Sequence, residues 1–177
     1  MTLLYANPHE VKWVDYDNKV CIGIKADRIH GIFQRALSNE IKRSNKVILF
    51  GSCGRLDSNL RDYGELIIPG SWYINSLEGI TVNAIGPRAC TMDHSVKEKW
   101  ERKLLFYLGF YCVDQESYHV GKLCQELGVP FVSVRYMIDR CDRKAMPIGI
   151  NHFWRRYQHR RMQLRFNKWL REEVCSI

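Results

Sequence analysis

Four polar side chains of this sequence stand where they could act together in chemistry. Each follows, within a few residues, an apolar run predicted to be a β-strand; they are Glu10, Ser52, Glu116 and Asp139. Carboxyl groups can give or take protons, and carboxylates and hydroxyls can bind the polar groups of a ligand. Four such side chains in one cleft would suit acid–base chemistry on a polar molecule, provided that the fold brings them together.

The elements that must position these side chains alternate along the chain. Short apolar runs predict strands at 2–6, 20–24, 46–50, 66–68, 80–82, 110–113 and 131–134. Helical spacing of apolar residues predicts helices at 27–43, 96–108, 117–127 and 152–175, with a further helical start over 8–14. This alternation indicates an α/β fold, here in a single domain over 1–177. In open α/β sheets ligands bind beyond the carboxyl ends of strands, where the four polar side chains lie.

Residues 51–54, Gly-Ser-Cys-Gly, follow the strand predicted at 46–50. Small residues between periodic segments usually form a loop, so a turn is predicted here. Glycine also permits close approach of a ligand to the backbone. The turn is therefore either a simple reversal of the chain or the floor of a binding cleft.

The composition excludes several classes of protein. The 177 residues are 46% hydrophobic, enough for a sizeable core, but no run approaches the roughly 18 apolar residues of a membrane span. The first residues lack the basic and apolar regions of a signal peptide. Seven scattered cysteines without a CxxC pair indicate reduced thiols in the cytoplasm. Cys90, Asp93 and His94 are too few to indicate a metal site, and no cofactor is expected.

The net charge of +8 is concentrated towards the carboxyl terminus. Basic residues outnumber acidic ones from residue 140 onward, above all in the basic helix predicted at 152–175. Such a helix could meet phosphate, on a nucleic acid or on a small anionic substrate. A solvated helix surface is the commoner origin of this pattern, so nucleic-acid binding is the less favoured interpretation.

Three stretches, in this order, carry a likeness to a known family. They are the strand and glycine turn at 47–56 with its continuation to 68, the segment Val113-Asp114-Gln115-Glu116, and VPFVSVRYMID at 129–139. Together they resemble the superfamily of purine nucleoside phosphorylases and methylthioadenosine/S-adenosylhomocysteine nucleosidases. Glu10 after the first strand resembles the nucleosidase branch. The resemblance implies a nucleoside phosphorylase-like mixed sheet flanked by helices, shortened mainly between residues 14 and 45.

The resemblance also implies a role for each candidate residue in cleaving an N-glycosidic bond. Asp139 would protonate the departing purine as general acid, Glu116 would hold the ribose hydroxyls, and Glu10 would activate water. Arg135 would brace the site through a carboxylate, or form a structural ion pair. The other candidates would line the substrate pocket: Ser52, Cys53, Gly54, Gln115, Ile138, Ser95 and Val96. Gln115 stands where the family has a methionine, so the resemblance does not say how the sugar packs. Ile138 stands where the family has a serine, so the resemblance does not say which polar group supports Asp139.

Two positions favour hydrolysis over phosphorolysis. A phosphorylase needs arginines for phosphate, one of them two residues before the Gly-Ser pair, where this chain has Leu49. The loop after the first strand carries Glu10, whose carboxylate would repel phosphate but activate water. We therefore expect hydrolysis of a purine-type nucleoside or nucleotide to free base and ribosyl moiety. The alternatives are a phosphate-dependent phosphorylase, and a non-catalytic protein of the same fold that binds nucleosides or nucleic acid.

The expected partners are a small nucleoside or nucleotide and further copies of the chain, but no membrane. Members of the family usually assemble as homodimers or larger oligomers, which the resemblance extends to this chain. Trp72 and Tyr73 are candidate contacts for such an assembly, although packing in the core is the commoner role of aromatic residues.

Overall fold

The computed structural model describes residues 1–23, 32–56, 66–75, 77–82, 85–139 and 148–175. The strands are β1 (Thr2–Tyr5), β2 (Lys19–Cys21), β3 (Val47–Arg55), β4 (Leu66–Ile67), β5 (Ser71–Ile74), β6 (Glu78–Thr81), β7 (Arg88–Thr91), β8 (Cys112–Asp114) and β9 (Phe131–Asp139). The helices are α1 (Ile32–Lys42), α2 (Lys99–Tyr107), α3 (Ser117–Glu126) and α4 (Ile148–Cys175), and a single 3-10 turn covers Pro8–Glu10.

The strands form a mixed sheet with β3 at its centre. The order is β2-β1-β3-β8-β7-β5-β6, and β9 pairs with both β3 and β4. β1 and β9 run parallel to β3, so their carboxyl ends point to the same edge of the sheet. β8 runs antiparallel to β3, with Val113 opposite Gly54, so the carboxyl end of β8 lies beside the carboxyl-terminal part of β3. The expected α/β fold with a mixed sheet is confirmed, and it gathers four strand ends around residues 51–54.

Helices cover both faces of the sheet because the side chains of β3 alternate between them. Val47 and Leu49 join a buried cluster with α1 and α3, whereas Ile48 and Phe50 join a second cluster with α4. Burying each such side chain stabilises the fold by about 1.5–3 kcal/mol. The two clusters therefore hold the central strand, and the site residues on it, between helical layers.

The turn predicted at 51–54 is wrong, because these residues continue β3. The strand stays paired with β9 from Val47 to Gly54, with a register shift between Cys53 and Gly54. Glycine is found inside this strand because other groups approach its backbone closely. A Cβ on Gly51 would lie 2.6 Å from Nη1 of Arg135. The small residues thus mark the close approach of side chains and not a reversal of the chain.

Two strands, β5 and β7, were not predicted from the sequence. β5 follows the turn residues Pro69-Gly70, which conceal a short strand whose Trp72 is fully buried. Tyr73 packs on Phe110 with ring centroids 5.4 Å apart, and the Arg88 guanidinium lies 4.7 Å from the Tyr73 centroid. Packing within the chain therefore explains both aromatic residues that had been candidates for a contact between copies.

The other predicted elements are present with shifted ends. The helix predicted at 117–127 is α3, the strand predicted at 131–134 extends to Asp139, and the helical start predicted over 8–14 is reduced to the 3-10 turn. Residue 24 of the predicted second strand and residues 27–31 of the predicted first helix lie outside the described residues. No helix in the described part of the chain is both long and apolar enough to cross a membrane.

Candidate active site

Glu10 is held by a short turn that is itself fixed to a distant helix. Its Oε2 accepts a hydrogen bond from the Asn7 backbone N–H at 3.1 Å, and the Asn7 side chain accepts from the His9 N–H at 3.0 Å, an arrangement that caps the turn. Gln163 of α4 then clamps the turn: its Oε1 accepts from the Trp13 N–H at 2.6 Å, and its Nε2 donates to the His9 carbonyl at 2.8 Å. The Glu10 side chain is buried and has a defined orientation.

Ser52 of β3 binds the Glu10 carboxylate directly. The backbone N–H and the Oγ hydroxyl of Ser52 both donate to Oε1 of Glu10, each at 2.7 Å. These bonds link the first strand end to the central strand. They leave the carboxylate as an acceptor with a fixed direction, as a general base requires.

Arg135 of β9 is fully buried in a network of acidic and hydroxyl side chains. Its Nη2 lies 2.6 Å from Oδ2 of Asp114 and 3.9 Å from Oε2 of Glu116. The hydroxyls of Ser117 and Ser133 accept hydrogen bonds from its Nε, each at 3.1 Å. The guanidinium therefore brings the ends of β8 and β9 together and fixes Glu116 beside them.

The same guanidinium reaches Glu10 across Gly51. The Nη1 atom of Arg135 is buried and has no hydrogen-bond partner among the described residues. It lies 2.6 Å from the position that a Gly51 Cβ would occupy, and the two carboxylate oxygens of Glu10 lie 3.0 and 3.1 Å from that position. The Arg135 guanidinium and the Glu10 carboxylate thus face one another across Gly51. Glycine leaves room for both groups because it has no Cβ.

Carboxylates outnumber the cation in this region by three to one. Burial by itself lowers the pKa of Arg135, but the charges of Asp114, Glu116 and Glu10 raise it, and the net shift is upward. The pKa of Tyr136 is raised well above its usual value, first by burial and then by the charge of Glu10. The Arg135 guanidinium therefore stays charged, with three acidic side chains of the described residues around it.

Cys53 has no nucleophilic character in this setting. Its hydrogen bond with Cys112 and its burial raise the pKa of the thiol well above the usual value. The side chain packs in an apolar cluster with Trp72 and Met137. The prediction that Cys53 lines the substrate pocket stays a prediction, since the structure shows only that its side chain is buried in this cluster.

The remaining predicted residues are distributed around these groups. Gln115 Nε2 donates to Ser95 Oγ at 3.4 Å, so two predicted pocket residues from different loops meet. Val96 is buried in an apolar cluster with Leu105. The backbone of Asp139 pairs with Gly54 at the end of β3, two residues beyond Ser52, while the side chains of Ile138 and Asp139 lie outside the described residues.

Three members of the network were not recognised in the sequence. Asp114, Ser117 and Thr91 are buried, and Thr91 Oγ1 donates to Asp114 Oδ1 at 2.7 Å while accepting from the Tyr118 N–H at 2.9 Å. A signal was available for Asp114, because it directly follows an apolar run and a buried polar side chain needs a partner. The sequence does not show which partners they take.

Cys90, Asp93 and His94, which were considered as metal ligands, have other contacts in the structure. Cys90 is buried among apolar side chains, whereas the half-exposed His94 binds Asp93 at 2.6 Å and Glu101 at 2.5 Å. Within the described ranges, no three His, Cys, Asp or Glu side chains come together as metal ligands would.

Comparison with known proteins finds similarity at the level of structure. No family model and no curated protein matches the sequence. A 5′-methylthioadenosine/S-adenosylhomocysteine nucleosidase of Helicobacter pylori is 16% identical over 99% of this chain and 97% of its own, with a TM-score of 0.77. The futalosine hydrolase of the same organism is 15% identical over the same shares, also with a TM-score of 0.77.

A third solved structure extends the similarity to another organism. The nucleosidase of Colwellia psychrerythraea, crystallised in complex with adenine, is 14% identical over 94% of this chain and 92% of its own, with a TM-score of 0.71. These matches cover 94–99% of this chain. This chain therefore has the fold of the methylthioadenosine/S-adenosylhomocysteine nucleosidases and of futalosine hydrolase.

Proposed function

We propose that this protein hydrolyses the N-glycosidic bond of a purine-type nucleoside or nucleotide and releases the free base and the ribosyl moiety. The observation that carries the proposal is the buried Glu10 carboxylate, which takes two hydrogen bonds from Ser52 and faces Nη1 of Arg135 across Gly51. A carboxylate paired with an unused cationic donor can hold a water molecule in a fixed direction and take its proton.

The sugar would be held by Glu116. Cleavage of an N-glycosidic bond leaves positive charge on the ribose, so a carboxylate close to the ring stabilises the transition state more than the substrate. Glu116 accepts hydrogen bonds from ribose hydroxyls in this proposal, and the 3.9 Å approach of Arg135 Nη2 fixes its direction. Gln115, bonded to Ser95, would lie at the side of the sugar.

The departing base would take its proton from Asp139. Its backbone lies at the end of β9 beside Gly54, at the same edge of the sheet as Ser52. A purine leaves more easily when a ring nitrogen is protonated, and a carboxyl group that follows a strand end can supply that proton. Ser52, Gly54 and Ile138 would form the surface on which base and sugar lie, with Cys53 and Val96 packed behind it.

Electrostatics supports water over phosphate as the nucleophile. Glu10, Asp114 and Glu116 surround a single guanidinium that is already engaged by two of them. Two like charges 4 Å apart repel by about 4 kcal/mol at the effective dielectric constant of such sites. Leu49, at the position where the family resemblance places a phosphate-binding arginine, is fully buried in an apolar cluster. A neutral water molecule meets no such barrier.

The structural neighbours support the same class of reaction. Their names are those of nucleosidases and of a hydrolase, and the Colwellia protein was crystallised with adenine. The base, and any group at the 5′ position, are left to the substrate assay.

We also propose that the protein acts in the cytoplasm as a homodimer or larger homo-oligomer. No disulfide joins the five cysteines whose side chains are described. Trp100, Leu104 and Tyr107 share one face of α2, and Trp100 and Tyr107 are 67% and 88% exposed. Apolar stripes of this kind are typical of contacts between copies. Light scattering should show an oligomer for the wild type and a monomer for Trp100→Glu/Leu104→Glu, with Lys103→Glu as control.

The reaction is tested with a panel of purine nucleosides and nucleotides, incubated with and without phosphate in ¹⁸O-labelled water. We expect free base to appear without phosphate and the label to enter the ribose product. Glu10→Gln and Asp139→Asn should each lower kcat by about 10²–10⁴-fold, while Glu126→Gln and Asp17→Asn, exposed controls of the same chemistry, should not. Ribose 1-phosphate as the product would establish a phosphorylase, and unchanged activity of both site variants would overturn these roles.

A further inference from the structure

The long helix α4 has one buried and one exposed face. Met162, Phe166 and Leu170 are buried in the core against β3 and β9. The opposite face carries six exposed cationic side chains: Arg156, Arg160, Arg161, Arg165, Lys168 and Arg171. This set, called the basic face below, extends over about 22 Å at the 1.5 Å rise of an α-helix.

The basic face has little acidic compensation. The sequence has no acidic residue between 148 and 171. A carboxylate oxygen of Glu173, in the last turn, lies 2.5 Å from Nζ of Lys46, the residue before β3. No ion pair joins Arg160, Arg161 or Lys168 to a carboxylate of the described residues. Arg156 and Arg160, and likewise Arg161 and Arg165, are four residues apart, a spacing at which like charges repel on a helix.

The basic face also has a shape that a ligand could use. A groove of about 450 Å³ runs along it and is lined by Tyr157, Arg160, Arg161, Leu164, Arg165 and Lys168. Tyr157 and Leu164 are 52% and 53% exposed, so an aromatic and an aliphatic surface lie among the charges. Aromatic rings within a cationic groove are the usual platform on which unpaired bases stack.

Two other classes of anionic partner fit less well. A helix that binds a membrane surface inserts an apolar face, but the apolar face of α4 is committed to the core. A protein interface has a centre depleted of charge, whereas the centre of this groove is formed by arginines and a lysine. Nucleic-acid interfaces are strongly positive throughout.

We propose that the basic face of α4 binds the backbone of a single-stranded nucleic acid, with Tyr157 stacking on a base. The surface consists of α4 side chains alone, so the proposal does not depend on the nucleosidase reaction. The sequence alone favoured a solvated helix surface, because it does not show that six cations share one exposed face around a groove.

The first test is fluorescence anisotropy with a labelled single-stranded oligonucleotide of mixed sequence, at several salt concentrations. Binding should weaken with salt, with a slope of log K against log salt of about −4 for six phosphate contacts. Arg160→Glu/Arg161→Glu/Lys168→Glu should weaken binding by at least about 100-fold. The matched control is Lys97→Glu/Lys99→Glu/Lys103→Glu, which makes the same change of net charge at exposed positions at and near α2.

Tyr157→Ala separates stacking from charge. It should weaken binding to the single strand by about tenfold, leave the salt slope unchanged, and have less effect on duplex binding. Circular dichroism checks that every variant keeps its helix content. Equal losses in the two triple variants, a salt slope near zero, or binding to vesicles of anionic lipid without binding to oligonucleotides would each overturn the proposal.

Discussion

The site around Arg135 and the basic face of α4 differ in how their charged side chains are compensated. At the site, one buried guanidinium is surrounded by three carboxylates, and each approach is fixed by strand pairing. On α4, six cations share an exposed face without an acidic residue between 148 and 171. Buried charges must be matched, because desolvation is costly, whereas exposed charges are screened by water. The same residue type, arginine, is thus buried among carboxylates in one region and exposed to solvent in the other.

Arg135→Met is the substitution with the largest expected effect on the difference between the Arg135 site and the basic face. Removing the cation leaves Asp114, Glu116 and Glu10 buried without compensation, which should lower the free energy of unfolding by about 3–5 kcal/mol in urea titrations. Arg161→Gln on the basic face should instead raise that free energy by about 0.2–0.5 kcal/mol, because it relieves repulsion from Arg165. Effects of the same sign and size would show that the two regions do not differ in this way.

Gly51→Ala tests the approach of Arg135 and Glu10 across the central strand. The new Cβ would lie 2.6 Å from Nη1, so one or both groups must move. We expect a loss of stability of about 1–3 kcal/mol and a fall in hydrolysis of at least about 100-fold.

Gly121→Ala is the matched control for this change. Its Cβ would lie 2.4 Å from Cδ1 of Ile80, away from the site. It should cost similar stability and keep kcat/KM, so equal losses of kcat/KM in both variants would remove any special role of Gly51.

Arg55 is a second buried arginine, and Arg55→Met tests whether its removal affects stability as the removal of Arg135 does. Nε and Nη2 of Arg55 are buried without a hydrogen-bond partner, and no carboxylate of the described residues forms an ion pair with it. Replacing a buried cation that has no ion-pair partner among the described residues by an apolar side chain should leave the free energy of unfolding unchanged or raise it. A loss of about 3 kcal/mol in thermal unfolding would instead point to an acidic partner among residues outside the described ranges.

The smallest expected effect belongs to an exposed ion pair. Hydrogen bonds with Asp93 and then Glu101 raise the pKa of His94 above its usual 6.5. The pair therefore stabilises the fold fully below that value, and this contribution is lost as the pH rises through the folded-state pKa. Because His94 is half exposed, comparison with His94→Gln should show a few tenths of a kcal/mol at about pH 5.5 and none at about pH 8.5. A difference independent of pH would exclude the ion pair as its origin.

Much of the fold could be predicted because its strands and helices have clear periodicity. The continuous apolar run at the start of β3 and the helix stop at Gly128 belong to this class. The strand over residues 51–54 could not, because local rules interpret small residues as a turn, whereas pairing with β8 and β9 makes them a strand. β5 was concealed in the same way by the turn residues before it.

In the candidate site, too, some contacts could be predicted from the sequence and others could not. Glu10 and Ser52 were placed together from strand ends alone, and their contact is present in the structure. The part played by Asp114 could not be foreseen, since ion pairing with Arg135 depends on distances across the sheet. The sequence shows where the acidic residues are, but it does not show which of them forms an ion pair with Arg135.

The clamp between Gln163 and the turn that holds Glu10 joins residues about 150 positions apart. On the ribosome, residue 163 is made after every strand of the sheet. A nascent chain that ends before α4 would contain Glu10, Ser52 and Arg135 but not the bonds that fix the turn. Glu10, which we propose as the general base, would therefore acquire its alignment only after α4 has been made and has docked on the sheet.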